Sequence, residues 1–151
     1  MVPSADSGGV LSAPLIIEFP FSRTTGPVIG AFLTGLREQV LLGIKGADGR
    51  VLVPPCEYDP STAAELDELV EVGPGGVVDL WCWVRNPMPK HPIQRPFAWA
   101  LVRPDGADVG FLQPVDAGSP EVMRAGLRVR PRWASEREGS IHDLTCWEPE
   151  S

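Results

Sequence analysis

Basic charge is scarce in this chain of 151 residues: 13 lysines and arginines stand against 20 aspartates and glutamates, a formal net charge of −7. Proteins that hold nucleic acid displace counterions with a basic face, so this balance argues against that class. Cysteine is sparse as well. Cys56, Cys82 and Cys146 are widely spaced and form no CxxC pair, and the two histidines, His91 and His142, stand alone. The pattern argues against a disulfide framework and against a four-ligand zinc site of cysteine and histidine. Free thiols buried as small apolar groups are the plain reading. Long apolar runs are missing: none reaches the roughly 20 residues of a membrane span. The opening MVPSADSGGVLSAP has neither the basic start nor the apolar stretch of a signal peptide, so a cytoplasmic location is expected. No phosphate loop, dinucleotide fingerprint or HExxH motif occurs.

Glycine and proline are abundant. The 16 glycines and 17 prolines make up more than a fifth of the chain, against an average of about 12%. Such punctuation favours short strands joined by turns over a helical bundle. With 43% hydrophobic and 22% charged residues, the chain should bury one core and carry a small appendage. Three parts are expected: an arm over residues 1–24, a helix with a hairpin over 25–69, and a barrel over 70–151.

In the arm, residues 1–13 are small and polar, a loose stretch, and PLIIEFPFS (14–22) is extended and apolar with prolines that keep it out of a helix. PVIGAFLTGLREQV (27–40) is the best helix candidate. Thr24 or Thr25 can cap it, Pro27 suits its first turn, and Val28, Phe32 and Leu36 fall on one face. Gly30 and Gly35 weaken it by about 1 kcal/mol each but permit close approach of another element. Then LLGIKG, a turn at Ala47-Asp48-Gly49 and RVLVPP read as a hairpin. STAAELDEL (61–69) suits a short acidic helix or turn capped by Ser61.

From Val70 onward the pattern is β. Strands are expected over 76–84, 97–103, 107–115, 127–133 and 141–147, with a proline-rich loop at 86–95 and one helical turn at 119–125. Five strands, with a helical turn between the third and fourth, are the element order of an OB-type Greek-key barrel, so the fold class is mainly β.

Particular stretches resemble a family. The helix before Leu41, then GADGRVLVPP, VGPGGVVDLWCWV, PFAWALVRPDGADVGFLQPVD, MRAGLRVRPRW and IHDLTCWEP are similar to proteins that join an N-terminal helix and a rubredoxin-like zinc ribbon to an OB-fold. Members accompany thiolase-like and 3-hydroxy-3-methylglutaryl-CoA-synthase-like enzymes in acyl-CoA metabolism. The opening PLIIEFPFSRTTGPVIGAFLTGLREQVLLG also looks like actinobacterial versions that assemble with a lipid-transfer-type thiolase homologue in steroid degradation. The resemblance implies a metal ribbon with two cysteine knuckles, and here the chain departs from it. The four places fall near Lys45, Asp48, Asp59 and Thr62, none of them cysteine, and Cys56 lies between the knuckles. A ribbon-shaped hairpin without zinc or any other cofactor is expected.

The residues offer no catalytic constellation. No base neighbours a cysteine; His142 and Cys146 share a strand face but stand about 13 Å apart. Glu65, Asp67, Glu68 and Glu71 read as a solvated face. Arg128, Arg130 and Arg132 alternate along one strand and share a face. Glu136 or Glu138 could balance them, or they could meet an acidic partner or CoA phosphates, with Lys90, His91 and Arg95 joining that patch. Trp81 and Trp83 read as core or interface residues rather than base-stacking platforms.

These readings converge on a noncatalytic accessory subunit of a thiolase-like aldolase or thiolase acting on acyl-CoA, steroid side-chain thioesters in the narrower resemblance. Leu15, Ile17, Phe19 and Phe21 in the arm and Val28, Phe32 and Leu36 on the helix are the expected docking residues. Removing residues 1–40 should then abolish the complex and leave the barrel folded. A freestanding acyl-CoA or lipid binder is the alternative, and a single-stranded nucleic-acid OB-fold the weaker one.

Overall fold

The computed structural model describes residues 4–5, 11–22 and 24–150. In chain order these form β1 (Ser4–Ala5), β2 (Leu11–Ser12), α1 (Gly26–Arg37), β3 (Leu41–Lys45), β4 (Val51–Leu52), β5 (Leu69–Val72), β6 (Gly76–Val84), β7 (Phe97–Pro104), β8 (Phe111–Val115), β9 (Arg128–Trp133), a 3-10 turn (Ile141–Asp143) and β10 (Leu144–Pro149). β1 and β2 pair antiparallel, so part of the opening stretch is laddered rather than loose. The rest of that stretch, residues 1–3 and 6–10, lies outside the described residues. Residues 13–22 join no sheet and are exposed throughout.

Helix α1 ends three residues before the expected limit. Gln39 takes φ 65°, the Val40 N–H donates to Gly35 O (2.8 Å), and the Gln39 N–H donates to Leu36 O (3.1 Å). This paired closure terminates a helix and turns the chain into β3. Gly35 allows it: a Cβ there would lie 2.9 Å from the Val40 carbonyl oxygen. Pro27 sits in the first turn as expected, but the Thr25 side chain makes no capping bond.

β3 pairs with β4 through the Asp48-Gly49 turn and with β5 on its other edge, giving a three-stranded sheet. Val70–Val72 therefore belong to the hairpin sheet, not to the barrel where the sequence pattern put them. Alternation alone cannot say which strand a strand pairs with. No helix forms over 61–69. Ala63 takes φ 58°, and Asp59 rather than Ser61 accepts the free N–H groups there.

The remaining strands close a barrel in the order β10-β8-β7-β6-β9, with β9 pairing back to β10 and β8 running parallel to β10. This is a five-stranded OB-fold. Ala98, Ala100 and Val102 point inward from β7, Val115 from β8 and Trp147 from β10, all buried. The expected helical turn at 119–125 is a plain turn, with Gly118 and Gly126 in the left-handed region on either side. Met123 nevertheless plugs the core from it.

Helix and barrel share one interior. Phe32 and Leu36 pack in the same cluster as Leu41 and Val72 of the hairpin sheet, Val53 just after β4, and Val78, Val102 and Val129 of the barrel. Val28 packs with Ile44 and Leu52. Polar ties reinforce the junction. Asp108 accepts the Val51 N–H through Oδ2 (2.8 Å) and donates its own N–H to Val51 O (2.9 Å). Arg137 donates to the carbonyls of Arg37 (2.8 Å) and Ala134 (2.6 Å), closing the helix C-terminus onto the barrel loop.

Candidate functional site

Among the described residues, two exposed apolar surfaces stand out. The first is the arm, where Leu15, Ile17, Phe19 and Phe21 are 82, 65, 78 and 81% exposed. The second is the outer face of the barrel. Because residues alternate between faces of a strand, burial of Ala100 and Val102 turns Leu101 outward. Cross-strand register then sets Leu80 beside Leu101 and Leu101 beside Leu112. Leu80 and Leu112 stay 66 and 59% exposed. This leucine row was missed in the sequence. Its signal is an apolar residue at the outward position of three successive strands.

The row leads into an open groove of about 490 Å³ at one end of the barrel. The groove is lined by Trp99, Leu112 and Pro114, by Lys90 and Pro92 of the proline-rich loop, and by Ile141 and His142. The loop is pinned by Ile93, which packs with Phe97 and Cys146. His91 also holds it: its Nδ1 accepts the Met88 N–H (3.2 Å), and its ring meets Phe97 and Trp99 edge-on at 5.6 and 6.2 Å.

The helix residues proposed for docking are corrected by the structure. Val28, Phe32 and Leu36 are 7, 5 and 0% exposed, so they are interior packing residues of this chain. A barrel of this size alone could not cover them, but barrel and hairpin sheet together do.

The arginine face is corrected in its partners. Arg128 forms a two-pronged pair with Asp105 (2.6 and 2.7 Å) and reaches Glu150 (3.3 Å). Arg130 pairs with Glu148 (2.8 Å), and Arg132 with Asp116 (3.0 Å) and Glu148 (3.5 Å). Arg95 also pairs with Asp116. Neither Glu136 nor Glu138 supplies a counter-charge among the described residues. The last two strands run antiparallel with Glu148 opposite Arg130, a register that sequence pattern alone does not give. Hydrogen bonding to Arg128 lowers the pKa of Asp105, and Asp105 together with Glu150 raises that of Arg128. Of the five candidate anion contacts, Lys90 has no ion pair among the described residues.

Among the described residues no catalytic grouping assembles. Cys146 is fully buried, and burial pushes its thiol up to about 11. Cys56 is half-buried and Cys82 exposed. Among the described residues no three His, Cys, Asp or Glu side chains are grouped to hold a metal, and no helix is long and apolar enough to cross a membrane. Trp83 packs on the core, while Trp81 remains 37% exposed.

Barrel, helix and hairpin sheet define an OB-fold protein with an N-terminal appendage. Within it, residues 69–134, from β5 through β9, match the family described as ChsH2, C-terminal OB-fold domain. No curated protein matches the chain. Among solved structures, a DUF35-family protein of unknown function from Sulfolobus solfataricus is similar at 23% identity and a TM-score of 0.57, over 71% of this chain and 78% of that one. The Ltp2-ChsH2(DUF35) aldolase is similar at 18% identity and a TM-score of 0.56, over 84% of this chain and 98% of that one. At these identities the two structures establish the shared fold.

Proposed function

We propose that this protein is a noncatalytic accessory subunit of the ChsH2 type, binding a thiolase-like protein and completing an aldolase or thiolase with it. The observation that carries this reading is the match of residues 69–134 to the ChsH2 C-terminal OB-fold domain. ChsH2(DUF35) stands with Ltp2 in an aldolase, and this chain shares the fold of a chain from that structure. The surface is consistent: an exposed apolar arm suits a protein partner better than water. The substrate class proposed, an acyl-CoA thioester, of a steroid side chain in the narrowest form, rests on the sequence resemblance of the opening stretch and the barrel segments. In this reading the partner supplies the nucleophile, acid and base, and this chain closes part of the substrate channel in the cytoplasm.

Co-expression with a lipid-transfer-type thiolase homologue tests the proposal. The two should co-purify, and carbon–carbon cleavage of a CoA thioester should require both. Cleavage by this chain alone, or failure to associate with any such homologue, contradicts it.

The groove favours one second reading, a freestanding binder of acyl-CoA or lipid, because a mostly apolar lining that includes Lys90 suits a chain with an anionic end. Calorimetry of the isolated protein with CoA thioesters separates the two. A nucleic-acid role finds little support, because the arginines of the β9 face are already paired with carboxylates.

A further inference from the structure

The family resemblance would place a metal ribbon on the hairpin sheet, with its two knuckles near Lys45, Asp48, Asp59 and Thr62. Their chemistry does not fit a metal. The Lys45 ammonium is itself a cation and pairs with Glu68 (3.1 Å). Asp48 is held by Arg50 (2.6 Å). The Thr62 hydroxyl accepts the Ala64 N–H (3.3 Å). Asp59 is buried, and both its oxygens are occupied. Oδ1 accepts the N–H groups of Ser61 (2.8 Å) and Thr62 (2.9 Å), and Oδ2 accepts that of Ala47 (2.9 Å).

Three backbone N–H groups converging on one point make a site for negative charge, the reverse of what a cation needs. Two of them belong to the second knuckle and one to the first. The carboxylate therefore joins two turns twelve residues apart along the chain, from Ala47 to Asp59.

We infer that the Asp59 carboxylate replaces the metal of this ribbon, cross-linking its two knuckles through charge-assisted bonds to backbone N–H groups, so that the fold requires no zinc. A metal ties such loops through thiolates; here one side chain supplies the tie, at the strength of ionic hydrogen bonds. These bonds also lower the pKa of Asp59, as they should if they favour its charged form.

The test uses the full chain purified from zinc-supplemented medium. Elemental analysis should find far less than one zinc per chain, and a chelator should leave the melting temperature unchanged. Asp59→Ala should lower the melting temperature by about 5 °C or more, with no recovery on adding zinc. In Asp59→Asn, amide exchange should quicken at Ala47, Ser61 and Thr62 while β7 amides stay protected. If neither variant folds, exchange in the unaltered protein decides, with slow amides at those three positions expected. Stoichiometric, tightly held zinc, an Asp59→Ala variant as stable as the parent, or free exchange at the three amides would each overturn the inference.

Discussion

The arm and helix α1 look alike in sequence and differ in fate. Both carry apolar residues at regular spacing beside prolines, and both read as greasy surface in search of a partner. The structure buries Leu36 completely and leaves Leu15 and Phe21 about four-fifths exposed. The cause is a third element. β3 and β5 form a sheet whose Leu41 and Val72 complete the pocket for Phe32 and Leu36. An apolar helix face marks a partner only after every element of its own chain has been given the chance to cover it.

That contrast can be broken most forcefully from the helix side. Leu36→Ala should cost about 2–5 kcal/mol of stability, read by urea denaturation, because it empties a fully enclosed site. Removing residues 1–40 should accordingly unfold the core rather than spare the barrel. Gly35→Ala should cost about 1–3 kcal/mol, since its methyl group would meet the Val40 carbonyl oxygen. A small gain is expected nearby: Gln39→Gly relieves a left-handed backbone at the helix end and should add about 1 kcal/mol.

Weaker effects are expected on the surface. Asp105 has a folded pKa below its unfolded value of about 3.9, so the stability it contributes is complete above that pH and disappears as pH falls through the folded pKa. Asp105→Asn should leave melting at pH 7 within about 1 kcal/mol of the parent, since the pair with Arg128 is largely exposed, and should flatten the loss of stability below about pH 4. Smallest of all, Phe19→Asp in the arm should change stability by less than about 0.5 kcal/mol, while a partner that docks there should lose affinity.

Local chemistry made much of this fold readable. The Asp48-Gly49 turn, the proline in the first turn of α1, and the strand-forming runs of β6 through β10 each depend on residues within a few positions of one another. The OB-type class followed from counting those strands, but not their pairing order around the barrel. What was not readable depends on register between distant segments. The pairing of β5 with β3, the carboxylates opposite the β9 arginines and the bonds from Asp59 to Ala47 all join residues that no local pattern links. The candidate site divides in the same way: the arm was visible as an apolar run, whereas the Leu80-Leu101-Leu112 row exists only once three strands are aligned.

The most direct test removes the arm alone. A chain beginning at residue 23 and the full chain should be co-expressed with a lipid-transfer-type thiolase homologue that binds the latter, and each mixture resolved by size-exclusion chromatography. The account predicts that the shortened chain melts like the parent but elutes apart from the thiolase homologue. Equal co-elution of both chains would contradict it.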